Sequence, residues 1–284
     1  MPQAEQLTDP VAEHGEGPVW FDGPEDLYWV DMLAGDVLKL DTDGEMLRRH
    51  VGTVAAALRP RIQGGFVMAL QRGFAMDDGD GSPLRQLEPL WDDVGVRMNE
   101  GACDPEGRFY CGSMAYDQAP GGGKMYRLDP DGTVRVVLQG CSISNGLDWS
   151  PDGSTAYYAD TATQRIDAFD YSPTGGLANR RPVVNIPAAA GAPDGLTVDN
   201  EGAIWVALWG GSAVHRYLPD GTLDTVVTLP ASRVTACTIG GASLDRLYIT
   251  TSRLGLPAGA EPEAGSLFHV EHVPLGRAVR RFAG

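Results

Sequence analysis

The sequence has no apolar run approaching the roughly 18 residues needed to cross a bilayer as a helix. Its start, Met1-Pro2-Gln3-Ala4-Glu5-Gln6, lacks the basic and apolar segments of a secretory leader. A soluble, cytoplasmic protein is the expectation. Basic residues are scarce: 22 Lys and Arg stand against 38 Asp and Glu, a formal net charge of −16. Such a chain repels phosphate backbones and anionic bilayers, which argues against nucleic acid and membrane as partners. Cysteine is limited to Cys103, Cys111, Cys141 and Cys237, with no CxxC pair. That spacing suits free thiols in a reducing compartment, and leaves open only a pairing of Cys103 with Cys111 across a hairpin. Several catalytic signatures are also missing. There is no GxSxG elbow, since Gly140-Cys-Ser-Ile-Ser-Asn-Gly146 has the wrong spacing, and no GxGxxG or P-loop. The five histidines, His14, His50, His215, His269 and His272, form no HxH or HExxH pair. No long segment places apolar residues at i, i+3, i+4 and i+7, so helices are not expected.

What the chain has in quantity is glycine, 37 residues, and proline, 20, in 284. These suit many short elements joined by tight turns. They fall in a repeat: a Gly, a short apolar strand, a polar turn with Gly, and a second apolar strand. Gly17 to Asp31, Gly101 to Met114, Gly146 to Asp160 and Gly195 to Leu208 are clear copies. Leu58 to Leu70 and Cys237 to Thr251 are weaker ones. The starts lie about 41 to 49 residues apart, the period of a four-stranded propeller blade. A second hairpin signal follows each strong copy, as in Val37 to Gly44 and Met125 to Gly132. The pattern predicts an all-β fold over residues 1–284: one six-bladed β-propeller domain with four antiparallel strands per blade.

The first strand of each propeller blade lines the central channel, so equivalent repeat positions form a ring around the axis. The residue before the first Gly is Glu16, Glu100, Asn145 and Asp194 in blades 1, 3, 4 and 5. In blades 2 and 6 the counterparts are Ala57 or Leu58, and Thr235. One Asp-Gly or Asn-Gly alone is usually a turn. Four at one repeat position converge on a channel mouth, where their oxygens repel unless a cation sits among them. Oxygen donors suit a hard divalent ion such as calcium, magnesium or manganese. Zinc is the weaker match, since it usually brings His or Cys ligands. His14, two residues before Glu16, is within reach of this site, although such a histidine is more often a surface or supporting one.

Four ordered motifs extend the reading: Glu16-Gly-Pro-Val-Trp20, Arg97-Met-Asn-Glu-Gly101 with Asp104 to Met114, Ser144-Asn-Gly-Leu-Asp-Trp-Ser-Pro-Asp-Gly153, and Pro193-Asp-Gly-Leu-Thr-Val-Asp199. Together they span nearly the whole chain, which resembles the gluconolactonase, regucalcin and luciferin-regenerating enzyme family. The resemblance implies a six-bladed propeller holding one divalent metal, calcium first among the candidates, on Glu16, Asn145 and Asp194. It places substrate contacts on Arg97 and Asn99, and less closely on Asp117. Family members often have Asp where this chain has Glu100, which makes Glu100 the least secure member of the ring.

The expected chemistry is hydrolysis of a sugar lactone. The metal polarises the carbonyl, Asp194 serves as general base, and Arg97, Asn99 and Asp117 bind substrate hydroxyls. Two alternatives stand beside it. The same site could hydrolyse other lactones or phosphotriesters, or the chain could be a non-enzymatic calcium-binding regulatory propeller. A small-molecule lactone is the expected partner, with the chain a monomer or weak homo-oligomer.

Overall fold

A computed structural model describes residues 2–23 and 25–284. Six four-stranded antiparallel sheets are arranged as blades around one axis. Blade 1 contains β2 (Gly15–Phe21), β3 (Asp26–Asp31), β4 (Asp36–Leu40) and β5 (Met46–His50). Blade 2 contains β6 (Ala55–Pro60), β7 (Phe66–Leu70), β8 (Phe74–Asp77) and β9 (Arg85–Gln86). Blade 3 contains β10 (Val96–Cys103), β11 (Phe109–Ala115), β12 (Gly123–Leu128) and β13 (Val134–Cys141). Blade 4 contains β14 (Ser144–Trp149), β15 (Thr155–Asp160), β16 (Arg165–Ser172) and β17 (Gly176–Asn185). Blade 5 contains β18 (Ala192–Val198), β19 (Ile204–Trp209), β20 (Ala213–Tyr217) and β21 (Leu223–Thr228). Blade 6 takes β22 (Val234–Gly240), β23 (Arg246–Thr251) and β24 (Leu267–Val270) from the end of the chain, and β1 (Glu5–Gln6) from its start. Glu5 pairs with His269 and Gln6 with Phe268, so the two ends of the chain share one sheet and close the ring.

The repeat is legible as physics. In each blade the two inner strands are buried on both faces and read as near-continuous apolar runs, such as Ala55–Pro60 and Phe66–Leu70. Outer strands such as β5 are exposed and polar. The Asp-x-x-Gly signals at Asp104 and Asp199 are the turns between the inner strands. Asp104 Oδ1 accepts the N–H groups of Glu106 and Arg108, and Asp199 Oδ1 accepts those of Glu201 and Ala203. Much of the acidic composition is therefore turn chemistry. All four cysteines are buried free thiols. Cys103 pairs across the hairpin with Phe109 and Cys111 with Gly101, so the two thiols are not opposite one another.

The six inner strands share one irregularity. Each carries a β-bulge at the same depth, between Glu16 and Val19, Ala55 and Ala57, Met98 and Gly101, Ser144 and Leu147, Pro193 and Leu196, and Val234 and Ala236. A bulge leaves extra residues outside the ladder and re-aims their side chains. This device turns Asn145 and Asp194 out of register toward the axis.

Candidate functional site

One mouth of the axial channel opens into a cavity of about 270 Å³ whose walls include Glu16, Arg97, Asn99, Asn145 and Asp194. Blades 1, 3, 4 and 5 each contribute through their bulged inner strand. The glycines after Asn145 and Asp194 are required by crowding, whereas Gly17 after Glu16 stands in the left-handed region at φ +51° with room around it. A Cβ on Gly146 would lie 2.5 Å from the Leu196 nitrogen, and one on Gly195 would lie 2.4 Å from Ala236 Cβ. The Asn-Gly and Asp-Gly pairs are thus close approaches of neighbouring inner strands, not turns.

The blade 3 register departs from the pattern drawn from sequence. The residues left unpaired there are Asn99 and Glu100, against Asn145 and Gly146 or Asp194 and Gly195 in the next two blades. Asn99 is therefore the structural counterpart of Asn145 and Asp194. Glu100 takes the glycine's place and lines a separate chamber deeper along the axis, with Arg59, Cys103, Cys237 and Arg280. Asp117 is also placed away from the cavity walls. It is exposed, and its Oδ1 accepts the N–H of Ala119, while the neighbouring Gln118 lines the cavity.

Within the cavity a chain of hydrogen bonds orients the neutral groups. Arg97 Nη1 donates to Asn99 Oδ1 and, at 3.1 Å, to the Met98 carbonyl. Asn99 Nδ2 donates to Asn145 Oδ1 at 2.9 Å and to the Ser144 carbonyl at 2.8 Å. Asn145 Nδ2 donates to Thr161 Oγ1 at 2.7 Å, which fixes which way that amide faces. Two aspartates brace the approaches. Asp31 accepts the N–H groups of Glu13 and His14, just ahead of Glu16, and Asp160 accepts those of Ser142 and Ile143, just ahead of Asn145. Both end the second strand of their repeat, and that shared position is the sequence signal that could have revealed them.

The carboxylates are left wanting a partner. Glu16 is 3% exposed, and among the described residues its side chain accepts one hydrogen bond, from the Gly17 N–H at 3.2 Å. Asp194 is 5% exposed and its Oδ1 has no partner among the described residues. Burial pushes Glu16 up to about 7, against the opposing pull of the Gly17 N–H and Arg97. Burial, then the charges of Glu16 and Glu100, raise Asp194 well above the carboxylate range. Two buried carboxylates with one guanidinium nearby are electrostatically incomplete, and a cation between them would supply the missing partner. Among the described residues, no three His, Cys, Asp or Glu side chains gather closely enough to hold an ion by themselves. A third oxygen at Glu16 and Asp194 would come from the Asn145 amide. A set of two carboxylates and an amide fits a hard divalent ion.

Sequence reasoning undervalued His14. It is buried, lines the cavity, and lies with Nε2 3.9 Å from Glu16 Oε1. Its proximity to Glu16 in the chain was the available signal. Met114, Ile143, Ala192, Trp209 and Leu254 form an apolar part of the wall, and the Tyr116 ring covers Arg97 at 5.7 Å.

A propeller of six bulged blades with acid and amide groups around one channel mouth defines the class. The chain belongs to the SMP-30/gluconolactonase/LRE-like family, whose model matches residues 14–253. It is 36% identical to regucalcin of Danio rerio over 266 residues, covering 91% of this chain and 90% of that protein. It is 34% identical to pentonolactonase XacC of Haloferax volcanii over 282 residues, covering 96% and 95%. The solved structure of a calcium-binding protein, regucalcin, from Agrobacterium tumefaciens superposes with a TM-score of 0.92 at 26% identity, covering 98% of this chain and 97% of that one. No helix among the described residues is long and apolar enough to cross a membrane.

Proposed function

We propose that this protein is a divalent-cation-dependent hydrolase that opens the ring of a sugar lactone. The observation that carries the reading is the cavity itself. It places buried, under-partnered Glu16 and Asp194 beside the oriented Asn145 amide and the Arg97–Asn99 pair. Its similarity to a pentonolactonase over nearly its whole length supports the substrate class, and its similarity to a calcium-binding regucalcin supports the cation. Glu16, Asn145 and Asp194 would hold the ion, with calcium ahead of magnesium, manganese and zinc.

The bound ion would supply Lewis-acid polarisation of the lactone carbonyl. The chain's own residues do the rest. Arg97 and Asn99 are held rigidly by their mutual hydrogen bond; Arg97 donates to ring hydroxyls and Asn99, whose amide protons are taken by Ser144 and Asn145, accepts from them through Oδ1, which orients the lactone. The free Oδ1 of Asp194 accepts a proton from water as its oxygen bonds to the carbonyl carbon. The ester C–O bond of the ring then breaks, and the proton returns from Asp194 to the departing ring oxygen. The product is an open-chain hydroxy acid. Asp117 reaches substrate in this reading only if its loop turns inward.

The apolar wall of Ile143, Trp209 and Leu254 supports a second reading, hydrolysis of a less hydroxylated lactone or a phosphotriester. A panel of aldonolactones, unsubstituted lactones and phosphotriesters tests both. The protein is stripped of cations and assayed with calcium, magnesium, manganese or zinc restored. Turnover of aldonolactones only after a cation is restored is the expected result. Preference for unsubstituted lactones or phosphotriesters would favour the second reading. Calcium binding without turnover of any of them would favour a regulatory calcium-binding role.

A further inference from the structure

We propose that His14 is a substrate-contacting residue, whose Nε2 accepts a hydrogen bond from a hydroxyl of a polyhydroxylated ligand in the mouth cavity. This assignment rests on the lactonase reading and names a specificity group within it. The ring is held from several sides. Nδ1 lies 2.8 Å from Ser252 Oγ, and the ring meets Trp209 edge-on, with centroids 6.0 Å apart at 84°. The backbone is fixed as well, since the His14 N–H donates to Asp31 Oδ1, its carbonyl accepts the Met32 N–H, and the residue bridges to Ser252 across the closure of the ring.

The assignment takes the tautomer with the proton on Nδ1. Ser252 Oγ accepts the N–H of Leu254 at 3.0 Å and reaches the Glu13 carbonyl at 3.2 Å. With the hydroxyl proton on the Glu13 carbonyl, which also accepts the Arg253 N–H, His14 Nδ1 donates to Oγ, and this is the tautomer the assignment requires. Nε2 is then a bare lone pair. It has no hydrogen-bond partner among the described residues, and Glu16 Oε1, at 3.9 Å, is an acceptor beyond bonding distance. A fixed ring with its open nitrogen on the wall of a cavity is what a ligand donor would complete. A sugar hydroxyl is such a donor, and it can accept from Arg97 on the blade 3 side at the same time. Calcium, magnesium and manganese prefer oxygen ligands to imidazole, which disfavours a direct role of His14 in holding the cation.

The test compares His14→Phe, which keeps the ring shape and removes both nitrogens, with His14→Gln, which restores an acceptor. Three quantities are measured: KM and kcat over aldonolactones with successively fewer hydroxyls, the Kd of an aldonate by calorimetry, and cation content by elemental analysis. In His14→Phe, KM for the most hydroxylated lactone and Kd for the aldonate should rise about tenfold, the loss of one hydrogen bond. kcat should change less than KM, and the preference for hydroxylated over hydroxyl-poor lactones should collapse. His14→Gln should recover part of the loss, and cation content should stay at the parent level. Loss of the cation would make His14 a ligand and overturn the proposal, as would an equal loss on every lactone or no change. If the parent binds the aldonate but hydrolyses no lactone, the lactonase reading fails while the aldonate Kd still judges His14. If the parent binds neither, both readings fall.

Discussion

Asn145 and Asp194 occupy the same bulge position in neighbouring blades, yet only one carries a charge. An amide oxygen can coordinate a hard ion but cannot take a proton from water, whereas a carboxylate can do both. Asp194→Asn should therefore keep some cation affinity and still lose about 10²- to 10⁴-fold in kcat at full occupancy, the usual worth of a general base. Elemental analysis alongside kcat checks this, and parental turnover at full occupancy would leave Asp194 a ligand only. Arg97 can only donate, so Arg97→Ala should raise KM for hydroxylated lactones about tenfold or more with cation content unchanged. The raised carboxyls also predict a pH effect in cation-free protein. Glu16, at about 7, and Asp194 hold protons in the folded chain that the unfolded chain releases, so their stabilisation is complete at low pH and is lost as pH rises through about 7. His14, lowered to about 3 by burial and by Arg97, acts oppositely and costs stability as pH falls from about 6.5. The melting temperature of chelated protein should fall as pH rises from about 4.5 through about 7, most steeply above about 6.5 where His14 no longer opposes it, and added calcium should recover it. At this scale the sequence was read well where the repeat is strict and less well where it is not. Glu16, Asn145 and Asp194 do share one cavity with Arg97 and Asn99. Glu100, already the least secure member of the ring, lines the other chamber because it fills the glycine's slot, which a Gly-based register cannot see. The inward turn of His14 depends on Ser252 and Trp209, far away in the chain.

The element that builds the site is the bulged inner strand. Its apolar run and its turn were both visible in sequence, because a doubly buried strand is apolar throughout and its turn needs Asp and Gly. The bulge was not, because it follows from how six strands crowd one axis. Gly195 shows the constraint, with room for hydrogen but none for a methyl group against Ala236. Gly195→Ala should cost about 1–3 kcal/mol through overpacking and displace Asp194. A lowered melting temperature together with weakened cation binding, seen by calorimetry, is the expected result. Lowered stability with parental cation affinity would mean that the bulge does not set the position of Asp194.

The whole molecule is closed twice. β1 completes the sheet of blade 6, and the tail from Leu275 to Gly284 crosses the opposite end of the axis. The Asn200 N–H donates to the Leu275 carbonyl, and Arg277 ion-pairs with Asp148 at 2.7 Å. The Ala283 N–H donates to the Gly107 carbonyl, and the Phe282 N–H to that of Pro60. These partners lie at or beside the inner turns of blades 5, 4, 3 and 2. Arg281 adds an ion pair to Asp22 of blade 1. No repeat signal marks this tail, so its role as a strap was not legible in the sequence. Phe282 is fully buried, and Phe282→Ala should cost about 3–5 kcal/mol, read as a shift in the urea midpoint. A near-parental midpoint would show that the strap is dispensable. The propeller exists, on this account, to bring Glu16, Asn145 and Asp194 from three blades to one ion. A crystal soaked in manganese and measured at its absorption edge locates that ion. A single strong anomalous peak about 2.0–2.6 Å from an oxygen of each of the three side chains is the predicted result. A peak seated elsewhere, or none at these residues under saturating manganese, would contradict it.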